Sequence, residues 1–211
     1  MYITIRGKRE MNYREITDKL NRLEPGNISA ARDYSVVMLT VDDDLIFEVR
    51  SDDIKRQPGE ICFPGGMKEP GESYLECAVR ETSEELGIDE DDIKIDAKLG
   101  TLTSYSRSAI TVYIGKIERK VFDAMKPSRK EVKEIFTVPL QFFLDNEPEL
   151  YYGKVYSEVD DFPDERVGFP DGYPWSVGNT EIPIYEYDGY VIWGITGRIL
   201  KYFAERINEK W

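Results

Sequence analysis

Three carboxylates, Glu81, Glu84 and Glu85, stand within one short run of the stretch GMKEPGESYLECAVRETSEELGI, residues 66–88. On a helix they share one side, because residues three and four apart are surface neighbours. Such a grouping is unfavourable by itself. Like charges at i,i+4 cost roughly 0.2–0.5 kcal/mol per pair, and the helix dipole prefers cations at its C-terminal end. A divalent cation removes both objections. Mg²⁺ takes oxygen ligands, is held by a few carboxylates together with waters, and works beside substrate phosphates. The ordinary alternative is a solvated acidic face, which a chain with 41 Asp+Glu readily presents. The chain contains no histidine, which excludes histidine-based triads and zinc sites. Proton transfer therefore falls to carboxylate, lysine, tyrosine or metal-activated water.

The element that must hold these carboxylates is a helix over residues 73–86. Leu75, Ala78, Val79, Thr82 and Leu86 recur at helical spacing and draw one mostly apolar stripe. Ser73 beside Glu72 supplies start chemistry, and Gly87 supplies a stop. Upstream, residues 34–41 form an apolar β-branched run that reads as a central strand; Asp42, Asp43 and Asp44 turn the chain, and residues 45–50 return as its hairpin partner. Between that hairpin and Gly66 lie Arg50, Lys55 and Arg56, a basic cluster in an acidic chain. Three such cations are ordinarily solvated surface.

The spacing of the stretch, Gly66, five residues, Glu72, seven residues, Arg80-Glu81, then Glu84-Glu85 and Gly87-Ile88, matches the Nudix box Gly-x5-Glu-x7-Arg-Glu-U-x-Glu-Glu-x-Gly-U, where U is apolar. With glycine at about 7% usage and allowance for a glutamate-rich chain, a chance match is on the order of 10⁻⁵, which weighs against a merely solvated face. Thr82 departs from the pattern, standing where an aliphatic residue is usual. The chain thus resembles the Nudix hydrolases. That resemblance implies an α/β/α sandwich with a mixed β-sheet and hydrolysis of a diphosphate linked to a further moiety. It implies Mg²⁺ or Mn²⁺ held by Glu81 and Glu85, with Glu84 and the Gly66 carbonyl adding oxygens. It implies a structural salt bridge between Glu72 and Arg80. Glu84, Glu131 and Glu134 are each candidates for the general base, so Glu81, Glu84 and Glu131 form the expected catalytic set.

A second resemblance is to the Nudix subfamily that cleaves coenzyme A, which carries Leu-Leu-Thr-x-Arg-Ser-x-x-Leu-Arg-x-His-x-Gly-x-Val-x-Phe-Pro-Gly-Gly ahead of the box. The chain matches at Arg50, Ser51, Gly59, Phe63, Pro64, Gly65 and Gly66, with Ile54 and Ile61 as conservative replacements. It departs at Ile46, Phe47 and Glu48, at Lys55 and at Gln57. The ending IWGITGRIL is similar to that subfamily's, with Gly197 for alanine. The resemblance implies that Arg50, Ser51, Lys55 and Arg56 meet the substrate and that the products are 3′,5′-ADP and (acyl-)4′-phosphopantetheine. Two alternatives stay open: a Nudix hydrolase of ADP-ribose or another nucleoside diphosphate derivative, and a non-catalytic nucleotide-sensing module.

Elsewhere, residues 12–23 read as a helix, with Asn12 as cap, Ile16, Leu20 and Leu23 on one face, and Pro25-Gly26 as stop. Residues 1–33 are thus expected to be a helical extension of one domain whose main body is 34–211. Residues 93–102 and 110–118 are strand candidates joined by a polar loop containing Arg107. Residues 145–187, rich in Tyr, Trp, Pro and Asp and without periodicity, are expected to be an irregular insertion, large enough to line a substrate tail, whose aromatics could equally cover an adenine or pack the fold's flank. Asp188-Gly189 signals a type I′ hairpin, and residues 196–208 a final helix burying Ile199, Phe203 and Ile207. A net charge of −13 argues against nucleic acid as partner. Cys62 and Cys77 read as small buried thiols. The first residues lack an apolar signal core, and no stretch approaches ~18 apolar residues. A soluble, cytoplasmic protein acting on a small-molecule diphosphate, with no membrane partner, is the expectation; a homodimer would be ordinary.

Overall fold

A computed structural model describes residues 13–21, 32–105 and 108–209. Helix α1 (Tyr13–Leu20) lies within the expected 12–23 segment, but Ile16 is exposed. Asn12, Leu23, Pro25, Gly26 and Arg107 lie outside the described residues. The main sheet begins with β1 (Arg32–Val41) and β2 (Asp44–Arg50), then β3 (Ile61–Cys62) and β4 (Gly65–Met67). Helix α2 (Tyr74–Leu86) follows, then β5 (Lys94–Thr103), β6 (Ser108–Ile117) and α3 (Arg119–Ala124). Strand β7 (Val132–Pro139) completes this sheet and runs directly into α4 (Leu140–Asp145).

The sheet is mixed: β1 and β6 run parallel over their whole length, and every other pair is antiparallel. Its β1–β2 hairpin is joined only near the turn, at Thr40–Leu45 and Val41–Asp44. Beyond that point the strands part. Strand β4 then pairs with β1 at Tyr34–Val36, and β3 pairs with β2 at Glu48–Val49. The chain between Ile61 and Met67 is thereby wedged into the middle of the sheet, carrying Gly65 and Gly66 to its centre.

Strand β1 is apolar on both sides because both are covered. Val37, Leu39 and Val41 pack with Ile46 against Ala78 and Leu86 of α2. Met38 packs on the opposite side with Phe47, Phe143 of α4 and Leu200 and Phe203 of α6 (Gly194–Asn208). The result is the expected α/β/α sandwich.

Two expectations about helix faces are corrected. Leu75, placed on the buried stripe of α2, is exposed, and the buried set is Cys77, Ala78, Thr82, Glu85 and Leu86. Ile207 is likewise exposed, since it lies in the last turn of α6, beyond the core side chains. Thr82 is fully buried with its hydroxyl unpartnered. Its methyl fills the aliphatic place while its oxygen forgoes solvation, at a cost of roughly 1–3 kcal/mol. Thr82→Val is therefore expected to stabilise the fold by about 1 kcal/mol, raising Tm by about 2–4 °C. Thermal unfolding of Thr82→Val beside Thr82→Ser checks this: the serine, which keeps the hydroxyl and loses the methyl, should melt below wild type.

The irregular insertion expected over 145–187 is also corrected. It contains β8 (Glu149–Val155), a short helix α5 (Asp164–Val167) and β9 (Gly178–Tyr187). With β10 (Tyr190–Ile192) these form a second, antiparallel sheet in the order β10-β9-β8. The turn from β9 to β10 has Asp188 at φ 46° and Gly189 at φ 85°, the two left-handed conformations that a type I′ hairpin requires. Tyr190 ties this ribbon to the main sheet. Its ring stacks on Phe136 at 3.7 Å, and its hydroxyl donates to Glu134 Oε1 at 2.5 Å.

Candidate active site

Helix α2 is fixed at both ends by its own sequence. Ser73 Oγ accepts from the Glu76 amide, and the Glu76 carboxylate accepts from the Ser73 amide, the reciprocal arrangement of a capping box. Gly87 closes the helix at φ 64°, its amide donating to the Ser83 carbonyl. Between these stops the helix turns Glu81 and Glu85 towards β4 and the gap between β1 and β2. Gly65 (φ 143°) donates its amide to Glu85 Oε2 at 2.7 Å. A Cβ on Gly66 would overlap the Glu81 carboxylate. Gly66 thus lets the Glu81 carboxylate lie directly against backbone, while Gly65 lets β4 approach β1, where a Cβ would overlap the Ser35 carbonyl.

The site is rich in protons for a cluster of acids. Glu85 is 6% exposed, and burial together with the Glu48 charge pushes its carboxyl up to about 9. Glu81 is raised as well, first by burial. Glu48, on β2 and only 1% exposed, is pushed to about 7 by burial. One of its oxygens accepts from the Cys62 thiol at 3.2 Å, and the other has no partner. A buried carboxylate with an orphaned oxygen, beside two others that would rather hold protons, is an arrangement a cation relieves. Among the described residues no three Asp, Glu, His or Cys side chains are already gathered to enclose an ion. The fit rests on donor chemistry: the groups facing the gap are oxygens, as Mg²⁺ or Mn²⁺ prefers.

Arg80 is the electrostatic hub behind this face. Its Nε and Nη2 grip both oxygens of Glu72 at 3.1 and 3.0 Å; Nη2 also reaches Glu81 at 2.9 Å, and Nη1 reaches Glu84 at 3.3 Å. The guanidinium hydrogen bonds hold the Glu72 carboxyl down at about 2. The Glu72–Arg80 bridge is thus present, joining the loop after β4 to the helix. Glu84, expected beside Glu81 and Glu85, is instead 58% exposed on the outer side of Arg80 and does not line the cleft.

In front of the helix opens a cleft of about 610 Å³. One wall carries Glu81, Glu85 and Glu131, and Arg32, Arg50 and Arg56 also face into it. Among the described residues none of the three arginines is ion-paired, and the buried Nε of Arg50 has no partner. The floor is apolar, with Tyr34, Val36 and Ile110 on the sheet and Ile199 on α6. Of the expected substrate contacts, Arg50 and Arg56 are in the cleft. Lys55 is exposed outside it. Ser51 is buried; its Oγ accepts from the Asp53 amide, and its own amide donates to the Glu131 carbonyl, so it shapes the turn that carries Glu131. Glu134 is engaged by Tyr190 outside the cleft, which leaves Glu131 as the base candidate facing it. The aromatic residues of the second sheet's connection, Phe162, Phe169, Tyr173 and Trp175, contact one another and do not reach the cleft.

Sequence reasoning missed Arg32 and Glu48. Strand parity could have found both: Glu48 lies two residues from Ile46, which faces α2, and Arg32 lies two residues from Tyr34 on the cleft side of β1.

Comparison with known proteins agrees with this geometry. A profile described as NUDIX domain matches residues 31–153. The chain is 39% identical over 111 residues to a protein of Mus musculus named peroxisomal coenzyme A diphosphatase NUDT7, covering 52% of this chain and 45% of that one. It is 30% identical over 168 residues to Caenorhabditis elegans peroxisomal coenzyme A diphosphatase ndx-8, covering 75% and 68%. It is 26% identical over 195 residues to an uncharacterized Nudix hydrolase NudL of Yersinia enterocolitica, covering 90% and 89%. The chain spans about half the length of the mouse relative.

Proposed function

The chain belongs to the Nudix family, and from that premise we propose that it is a divalent-metal-dependent diphosphohydrolase cleaving coenzyme A and its thioesters to 3′,5′-ADP and (acyl-)4′-phosphopantetheine. One observation carries the reading: a single cleft brings Glu81, Glu85 and Glu131, with Glu60 also lining it, together with three arginines that make no ion pair among the described residues. Carboxylates alone fit a metal. Arginines left free in a chain of net charge −13 fit an anion with several phosphates, which guanidinium groups grip in bidentate fashion. Coenzyme A carries a diphosphate and a separate 3′-phosphate. The two coenzyme A diphosphatases among the relatives support this substrate class.

In this reading Glu81 and Glu85 hold Mg²⁺ or Mn²⁺, with the Gly66 carbonyl adjacent. When bound, the ion polarises the phosphoryl oxygens, makes water a better nucleophile and neutralises leaving-group charge. Glu131, facing the same cleft, accepts the proton of the attacking water. Arg50 and Arg56 orient the phosphates so that water approaches in line with the leaving oxygen. Arg80 and Glu72 touch no reacting atom; they fix where Glu81 stands.

The test compares initial rates on coenzyme A, 3′-dephospho-coenzyme A and ADP-ribose with Mg²⁺ and with Mn²⁺, for wild type and Arg50→Ala. Coenzyme A should be the best of the three. Arg50→Ala should lose roughly 10–100-fold in kcat/KM on it, the worth of one or two charge-assisted hydrogen bonds. Faster cleavage of dephospho-coenzyme A or ADP-ribose would overturn the substrate.

A further inference from the structure

A second pocket, of about 340 Å³, lies between β5 and α6 and shares the Ile199 side chain with the reaction cleft. The two are neighbours along one face of the sheet. Strand register places Tyr34, Ile110 and Leu102 in one row across β1, β6 and β5, and Val36, Val112 and Gly100 in the next. Tyr34, Val36 and Ile110 belong to the cleft, while Leu102, Val112 and Gly100 belong to the pocket. With strands about 4.8 Å apart, the rows lead from the phosphate end to the sheet edge in about 10 Å. At that edge Gly100 supplies no side chain, and the space above it is bounded by the Tyr202 ring, 3.9 Å from where a Cβ would stand.

We infer that this trough is the subsite for the amide-bearing tail of the substrate, the pantetheine arm that leaves the diphosphate. The inference rests on the function proposed above and names where that molecule's second half lies. Three features suit such an occupant, and the last two favour it over a plain alkyl chain. Leu102, Val112 and Ile199 offer apolar surface to methylene and methyl groups. Among the described residues strand β5 ends the sheet, so one row of its backbone donors and acceptors has no neighbouring strand there and is open to the amides of a tail that reaches this edge. Arg198 lines the pocket and, among the described residues, is not ion-paired, which leaves its donors for amide carbonyls. The location also replaces the one expected from sequence: the tail runs under α6, not along residues 145–187.

The experiment reads inhibition of coenzyme A hydrolysis by its two products separately, for wild type, Gly100→Val and Arg198→Ala. Valine suits a strand, and a Cβ at this position meets Tyr202 at ordinary distance, so Gly100→Val takes up part of the space above the strand. Inhibition by 4′-phosphopantetheine should weaken about tenfold in each variant, and much more than inhibition by 3′,5′-ADP. If wild type cleaves coenzyme A but the ratio of the two inhibition constants stays put in both variants, the subsite is wrong and the substrate stands. If wild type does not cleave coenzyme A, the proposed function falls and this inference with it.

Discussion

Glu85→Gln is expected to cut turnover by about 10³ or more at saturating Mg²⁺ while the protein stays folded. The amide keeps an oxygen where Gly65 donates, so the helix remains tied to the strand, but the charge that a cation needs is gone. Stability without metal supplies an independent readout. The carboxyls of Glu85 and Glu48 sit at about 9 and about 7 in the folded chain, above their usual 4.5. Groups raised in this way hold protons in the folded state that the unfolded chain has already released. The stability they leave intact is fully present below pH 4.5 and is lost as pH rises through the two folded values. Metal-free wild type should therefore lose Tm between pH 5 and pH 9, and Mg²⁺ should restore more of it at the alkaline end. Glu85→Gln should show a flatter profile and little response to Mg²⁺. Wild-type turnover in the variant, or an unchanged metal-free slope, would remove Glu85 from the ligand set.

Arg80→Ala is expected to lose about 10²-fold in kcat although Arg80 touches no reacting atom, because Glu72, Glu81 and Glu84 all lean on its guanidinium. Without it the loop after β4 loses its anchor to the helix, and Glu81 loses both a hydrogen bond and its neutralising neighbour. Arg80→Lys should recover little, since one ammonium cannot hold both oxygens of Glu72 and reach Glu81 and Glu84 as well. The Mg²⁺ concentration for half-maximal rate should rise in both variants, which a defect in substrate binding alone would not produce. Acid unfolding adds a signed check. Glu72, held at about 2, contributes stability above pH 4.5 that is lost as pH falls towards 2. That part of the acid limb should vanish in Arg80→Ala. Full rescue by lysine would contradict the bridging role.

How far the chain could be read in advance depended on whether structure was written locally. Helix α2 was legible because its stops, Ser73 and Gly87, and its charges lie within a few residues of one another. The Asp188–Gly189 turn was legible because only small or polar residues tolerate its two positive φ values. Strand β8 and the first half of β9 were not. Tyr151 and Tyr152, adjacent in sequence, are both exposed, so the ribbon lacks the alternation that marks a strand with one buried side, and Pro183 sits inside it. Within the site the limit was different. Glu81 and Glu85 are told from Glu84 only by which side of Arg80 they fall on, a distinction made by β4 rather than by spacing. Glu48 read as a departure from a motif; parity with Ile46 puts it on the same side of β2, but that this side meets a helix bearing another carboxylate is set by contacts distant in the chain.

The parting of β1 from β2 also bears on how such a protein can diverge. The wedged segment and the capped helix hold Glu81 and Glu85 against the sheet, where a change in one disturbs several neighbours. Arg50 and Arg56 are carried by the end of β2 and the loop after it, and Arg32 by the first residue of β1. Those margins can lengthen, shorten or exchange residues without shifting the hairpin turn that joins the strands. Lineages descending from one ancestor can therefore drift in what they accept while inheriting the same means of breaking it.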